Sequence, residues 1–277
     1  MKKALLILML ILISPATVLQ AQRVKVISFN IRYDGAKQED GENAWYYRSK
    51  AVINMIKKEQ PVVLGLQEAL LDQLSLIDRN FKKKYRRVGV GRDNGITRGE
   101  HMAIYYDNTK VDLVWHKTRW LSETPKRVSK GWDAACLRTV TIAMFRHRET
   151  GKTFYYFNTH LDHVGQIARS ESIKYIAQLI QNLSSGQSPV IVGGDMNSNL
   201  DSEIFNPLYD LGFNSAREVA PRTDHKNTYN AFGKNNGAII DHFLVLNTNV
   251  LRYQTITRGY GVPFISDHYP ISITIEL

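Results

Sequence analysis

Residues 189–197, PVIVGGDMN, decide how the rest of the chain is read. Val190, Ile191 and Val192 form a short apolar run between a proline and a glycine pair, the pattern of a buried strand that ends in a tight loop. In extended backbone, residues i and i+2 project to the same side, so Asp195 and Asn197 are expected to face one point. Gly193 and Gly194 let another group approach the main chain closely. A carboxylate and an amide aimed together suit a metal, a water or a phosphate oxygen. Taken alone, the same residues read more simply as turn formers, because Asx side chains bond to their own backbone at strand ends.

Working outward, the same pattern recurs. Residues 24–29 (VKVISF) alternate as a strand and deliver Asn30, and residues 62–66 are a second buried strand ending in Gln67 and Glu68. Between them, residues 34–43 are polar and turn-rich. Residues 45–58 are an amphipathic helix with Trp45, Val52, Met55 and Ile56 on its apolar side, halted before Pro61. Residues 70–77 are apolar at helical spacing. Strands are expected over 87–90, 101–106, 111–121, 137–145 and 153–158. A helix over 166–183, with Ile173, Ile176, Ala177 and Ile180 on one side, leads into residues 189–197. A short helix near 202–211 and strands over 238–246, 250–256 and 269–275 complete the chain. Alternating helices and strands with β-rich stretches between them imply an α/β fold: a four-layered sandwich of two packed mixed β-sheets flanked by helices. Ligands in such folds gather at strand ends.

The 277-residue chain opens with Lys2 and Lys3, an apolar run over 4–13 and a plausible cleavage region over 17–21. This is read as a secretory signal peptide occupying 1–21, with the domain spanning 22–277. The apolar run is short of the roughly 20 residues that cross a bilayer, so stable membrane insertion is not expected. An exported, periplasmic or extracellular monomer is. No linker or repeat divides residues 22–277, so one large core is expected. The single Cys136 excludes an internal disulfide,. Thirty-six basic against twenty-six acidic residues give +10, or +8 without Lys2 and Lys3. That excess suits polyanionic partners, nucleic acid among them, and equally a generic solvated surface. The basic run 82–84 with Arg86 and Arg87 lacks interleaved aromatics beyond Tyr85 and is not by itself a nucleic-acid motif.

Asn30, Glu68, Asn158, His160, Asp162, Asp195, Asn197, Asp241, His242, Asp267 and His268 all follow, interrupt or close apolar β runs. One mouth of the sandwich can receive them together. Carboxylates and amides with no cysteine cluster favour a hard cation, Mg²⁺ with Mn²⁺ or Ca²⁺ as substitutes, over Zn²⁺. Histidines beside carboxylates serve as general acid or base near neutral pH. Together these are what water attack on a phosphate ester requires. No motif supports a Ser or Cys nucleophile.

The segments Gln67-Glu68, NTHLDH at 158–163, GGDMN at 193–197, IDHFLV at 240–245 and SDHYP at 266–270 resemble the endonuclease/exonuclease/phosphatase (deoxyribonuclease I-like) superfamily. The likeness runs over nearly all of residues 22–277, in order. It implies Glu68 as principal Mg²⁺ ligand, with Asn30 and Asp267 lining the same site. It implies His268 as general base held by Asp241. Asp195 and Asn197 would position the water and phosphoryl oxygens, and His160 would serve the phosphoryl group and leaving oxygen, with Glu100 as its carboxylate partner.

Adjacent Asp267 and His268 can converge only on a loop, since neighbours in a strand face opposite ways. By the same alternation His242 faces away if Asp241 faces the site. RWLSETP at 119–125 and GWDAACLR at 131–138 resemble a bacterial subgroup. Arg138 and Arg169 are candidate phosphate clamps, each read equally well as a surface ion pair. Trp120, Trp132 and Tyr33 are stacking candidates that read more simply as core. The expected activity is metal-dependent hydrolysis of a phosphate ester. The substrate is either nucleic acid or a sugar, inositol or lipid phosphate, and a non-catalytic phosphate-binding protein is the reading from another class.

Overall fold

A computed structural model describes residues 23–35, 37–183, 187–234 and 237–277. The expected signal peptide lies outside the described residues. Among them, no helix is long and apolar enough to cross a membrane.

In chain order the strands are β1 (Arg23–Asn30), β2 (Val63–Ala69), β3 (Tyr85–Val88), β4 (His101–Asp107), β5 (Val111–Trp120) and β6 (Thr139–His147). They continue with β7 (Thr153–His160), β8 (Val190–Asp195), β9 (Asn214–Ser215), β10 (Asp241–Leu246), β11 (Asn249–Thr255) and β12 (Ile271–Glu276). The helices are α1 (Lys37–Asp40), α2 (Trp45–Glu59), α3 (Leu71–Phe81), α4 (Gln166–Leu183), α5 (Asn206–Tyr209) and α6 (Ala216–Val219). The strands form two six-stranded mixed sheets, ordered β11-β12-β1-β2-β4-β3 and β5-β6-β7-β8-β10-β9. They pack face to face with the long helices outside, the expected deoxyribonuclease I-like α/β sandwich.

The period-2 rule explains both the packing and the position of the polar residues. In β1, Val24 and Val26 enter the core between the sheets, whereas Ile27 and Phe29 pack outward against Val52 and Met55 of α2. In β7, Phe154 and Tyr156 face the other sheet, and Tyr155 and Phe157 face α4. In β8, Ile191 faces inward and Val190 and Val192 outward; in β10, Phe243 and Val245 face inward and Leu244 outward. Extending each inward parity by two-residue steps reaches Asn30, His160, Asp195 and Asp241 at the end of its strand. The inter-sheet space therefore changes from apolar to polar at one end.

Strand pairing fixes these residues relative to one another. The parallel pair β7–β8 sets His160 opposite Asp195, and the antiparallel pair β8–β10 sets Asp241 opposite Asp195, so the three lie in one row across the sheet. One turn deeper, Asn158 acts as a cross-sheet pin. Its Oδ1 accepts from Gln67 Nε2 at 2.6 Å, and its Nδ2 donates to the carbonyls of Leu66 and Ala103 at 2.9 Å each. Asn158 and Gln67 thus belong to the scaffold beneath the site.

Most departures from the expected elements are at their ends. Residues 34–43 contain a single turn of helix, α1, and a 3-10 turn. The helix expected near 202–211 is a 3-10 turn followed by the four-residue α5. The terminal strands begin later than expected, at Asp241 and Ile271. Pro270 contributes no N–H to a ladder, which accounts for the second. β9 and α6 are too short to carry a periodic signal.

Candidate active site

Asn30, Glu68 and Asp267 come together from three elements. Glu68 lies where the β2–β4 register shifts between Leu66 and Ala69, and its φ is 59°. A non-glycine residue at positive φ is strained backbone that its surroundings must hold. Here the bulge turns the carboxylate into the cavity. Its Oε1 accepts from Asn30 Nδ2 at 2.9 Å and its Oε2 from the Tyr33 N–H at 3.1 Å. Asp267 sits in an irregular loop stitched to residues 228–231: its carbonyl accepts from Asn230 N–H at 2.7 Å, and Tyr269 N–H donates to Thr228 at 2.6 Å. This loop permits Asp267 and His268 to line the same cavity of about 710 Å³, as their adjacency required.

The next layer centres on Asp195. Its Oδ2 lies 3.4 Å from His160 Nε2 and 3.6 Å from His268 Nε2, and it accepts from Asn30 Nδ2 at 3.0 Å. Asn30 therefore bridges Glu68 and Asp195, turning its amide nitrogen to both carboxylates while its oxygen accepts from Arg32 N–H. Asn197 follows at φ 47°, with its N–H on Asp195 Oδ1 at 3.0 Å. The Asx turn and the site are thus one arrangement: the turn aims the Asn197 side chain at His160. The glycines serve the scaffold, since a Cβ on Gly194 would lie 1.8 Å from the Thr159 carbonyl of the adjacent strand.

The two histidines are buried alike and titrate in opposite directions. Burial opposes charge on His268, but Asp241, bonded to Nδ1 at 2.8 Å, and the charge of Asp195 override it and raise the group to about 10. His160 is held well below the ordinary imidazole value by burial and then by the charges of Arg138, His268, Arg92 and His163. Burial first, and then the Asp241 charge, push Asp195 up to about 7 against the pull of His268. Asn197 Nδ2 lies 3.1 Å from His160 Nε2 and also donates to the Leu161 carbonyl at 3.0 Å. That assigns the neutral imidazole's hydrogen to Nδ1, which has no partner,. His242, as alternation required, faces the other way and meets the Ser198 carbonyl at 2.8 Å.

Two expectations need correction. Glu100 lines the cavity but does not partner His160. Arg92 takes both its oxygens at 2.8 Å, and burial, only partly offset by Arg92, raises the carboxyl to about 7. Arg169 is absent from the cavity wall; its guanidinium donates to the Asp162 carbonyl at 2.8 Å and props the loop before α4. Arg138 does line the cavity, but its Nε bonds Asp162 at 3.2 Å and its Nη2 meets His163 Nδ1 at 3.0 Å, so one edge is already committed. Asp162 is a brace: its oxygens also accept the N–H groups of Ala135, Cys136, Val164 and Gly165. Arg92 escapes a sequence reading because only the hairpin that sets its N–H on the Glu100 carbonyl at 3.0 Å brings the two together. The glycines at 91, 95 and 99 were the available signal.

Two groups bear on a cation. Asp195, Asp241 and His268 present ligand atoms within 4.8 Å of one another, but the proton on His268 already serves that trio. Glu68 and Asp267 are the better donors. Burial and then the Glu68 charge push the Asp267 carboxyl up against the pull of His268 and of Arg32, whose Nε stands at 4.0 Å. Two crowded, oxygen-only carboxylates facing a cavity fit a hard divalent ion.

A model of the Endonuclease/Exonuclease/phosphatase family matches residues 27–268. An endonuclease/exonuclease/phosphatase from Bacteroides vulgatus superposes with a TM-score of 0.86 at 33% identity, covering 92% of this chain and 99% of that one. A mannosyl-6-phosphatase of Bacteroides thetaiotaomicron superposes with a TM-score of 0.86 at 31% identity, covering 92% of this chain and all of that one. An uncharacterized protein of Acanthamoeba polyphaga mimivirus is 27% identical over 273 residues, 91% of this chain and the whole of that protein.

Proposed function

The chain belongs to the endonuclease/exonuclease/phosphatase family, and we propose that it is a divalent-metal-dependent phosphoesterase in which a water activated by His268 attacks phosphorus in line. The observation that carries this reading is His268, held through Nδ1 by Asp241 at 2.8 Å with its Nε2 beside Asp195, in the one cavity that Glu68 and Asp267 also line.

Glu68 and Asp267 would hold Mg²⁺, or Mn²⁺ or Ca²⁺ in its place. When bound, the ion supplies positive charge to the phosphoryl oxygens and offsets the carboxylate field that raises His268. Neutral His268 is the base, oriented through Nδ1 by Asp241. Its Nε2 takes the water proton as the new P–O bond forms and the bond to the leaving oxygen breaks. No covalent enzyme intermediate is involved. Asp195 and Asn197 orient the water and the phosphoryl group, with His160 Nε2 beside them to serve the leaving oxygen.

The mannosyl-6-phosphatase likeness brings hexose phosphates into the substrate set beside nucleic acid, inositol phosphates and phospholipid head groups. The test is a screen of these classes and bis(4-nitrophenyl) phosphate with Mg²⁺ against chelator, using the native chain, His268→Ala and Glu68→Ala. Turnover is expected in Mg²⁺ only and in neither variant. Activity that survives chelation, or survives both substitutions, overturns the reading.

A further inference from the structure

Two arginines on one wall of the cavity have no part in the reaction as described. Arg92 is locked end-on to Glu100 at 2.8 Å through both terminal nitrogens, and Arg138 is fixed along its Nε edge by Asp162 at 3.2 Å. A guanidinium carries five N–H donors in a rigid fork. Of the donors left, Arg92 Nε is buried and Arg138 Nη2 meets His163 Nδ1 at 3.0 Å, which leaves the outer terminal N–H groups of Arg92 and Nη1 of Arg138 for a ligand; both side chains line the cavity with His160. Asp162 divides its oxygens among four backbone N–H groups besides Arg138, so it fixes Arg138 in place without being devoted to it.

We propose that Arg92 and Arg138, braced by Glu100 and Asp162, form a dianion subsite that selects phosphate monoesters over diesters. This rests on the phosphoesterase reading and names the substrate class of the same site. A monoester near pH 7 carries close to two negative charges, its second pKa being about 6. A diester carries one, and has one oxygen fewer to accept hydrogen bonds. Two fixed guanidiniums lining one cavity reward the second charge and the extra oxygen, because Coulomb energy scales with the charge and charge-assisted bonds are the strong ones. His160 agrees with this: both arginines act on it as repelling cations, so the positive charge of each reaches the cavity they share. Glu100 is then a positioning residue for Arg92.

The experiment compares kcat/KM for 4-nitrophenyl phosphate and bis(4-nitrophenyl) phosphate in Mg²⁺. The native chain is expected to prefer the monoester. Arg92→Gln and Arg138→Gln should each lower the monoester-to-diester ratio by about tenfold to a hundredfold, the range for a lost charge-assisted contact. The loss should appear mainly in the monoester KM, and inhibition by inorganic phosphate should weaken in step. Arg92→Lys, which keeps charge without the fork, should fall between. Thermal melting checks folding, and Glu100→Gln replaces any variant that does not fold, with the same lowered ratio expected. A native preference for the diester, or a ratio unchanged across the folded variants, overturns the proposal. Failure of the phosphoesterase reading is seen separately, as turnover of both esters by His268→Ala.

Discussion

His160 and His268 line one cavity, equally buried, each within 3.6 Å of the same Asp195 oxygen. One is held neutral and the other cationic. Burial disfavours charge on both, so it cannot be the cause of the difference. What differs is the company each keeps: Asp241 and Asp267 beside His268, and Arg92, Arg138 and His163 around His160. The cavity thus has an acidic wall suited to a cation and a base, and a basic wall suited to phosphoryl oxygens. The division cuts across the sheets: the acidic side draws on Glu68 of β2, the Asp267 loop and Asp241 of β10, and the basic side on His160 of β7, the segment before β6 and the 91–100 hairpin.

The largest expected effect breaks the comparison at Asp241. Asp241→Asn removes the carboxylate that orients and charges His268, and kcat should fall by about a hundredfold to ten-thousandfold. In the chelated protein His268 should then titrate below its native value of about 10, as imidazole NMR would report. Stability carries the same signature. A group raised on folding stabilises fully below its unfolded pKa, about 6.5, and that contribution fades as pH rises through the folded value. The native, metal-free protein should lose this increment between about pH 6.5 and 10, and Asp241→Asn should lose much less. An unchanged His268 titration in the variant would assign the shift to other groups.

How much of this was legible beforehand follows from which residues obey strand periodicity. Asn30, His160, Asp195 and Asp241 extend inward-facing parities, so apolar alternation locates them. The separation of His242 from Asp241 follows from the same rule. Glu68 obeys no such rule: its side chain reaches the cavity through a bulge and a positive φ, and neither is written in LGLQEA. The Glu100 expectation failed because the contact that claims its carboxylate forms across a hairpin, with Arg92 eight positions earlier. Arg169 failed because a long side chain at the start of α4 can fold back on a carbonyl as readily as forward into a cavity. Sequence periodicity reports the direction of short side chains on regular strands; it is silent on loops and on arginine.

The basic wall is tested next through its brace. Burial alone would raise the Asp162 carboxyl, but four backbone N–H groups reverse this and hold it far below the usual carboxylate range, and Arg138 Nε bonds it at 3.2 Å. Asp162→Asn leaves Arg138 without its anionic partner, and breaking a buried pair in this way costs about 3 kcal/mol. Because the group is depressed on folding, its stabilisation is present above the unfolded pKa, about 3.9, and is lost as pH falls toward the folded value. The difference in chemical-denaturation stability between native chain and variant should therefore be largest at neutral pH and shrink below about pH 4. A difference that stays constant into acid would show that shape, not charge, is what Asp162 supplies.

The smallest effect sharpens the division by loading one wall only. A ligand that binds the folded state stabilises it by RT ln(1 + [L]/Kd), about 2.7 kcal/mol at a hundredfold excess over Kd. Mg²⁺ should raise the melting temperature accordingly, and chelation should reverse it. Glu68→Gln leaves a single carboxylate where two crowd together, so the Mg²⁺ shift should vanish. Arg92→Gln acts on the far wall and should keep it. Should Glu68→Gln retain the shift while Asp195→Asn loses it, the cation would belong to the Asp195, Asp241 and His268 trio. His268 would then have to surrender its proton to a ligand's role, and the base would need another identity. The melting experiment therefore decides more than affinity: it decides which carboxylates are free to hold charge and which are already occupied by a proton.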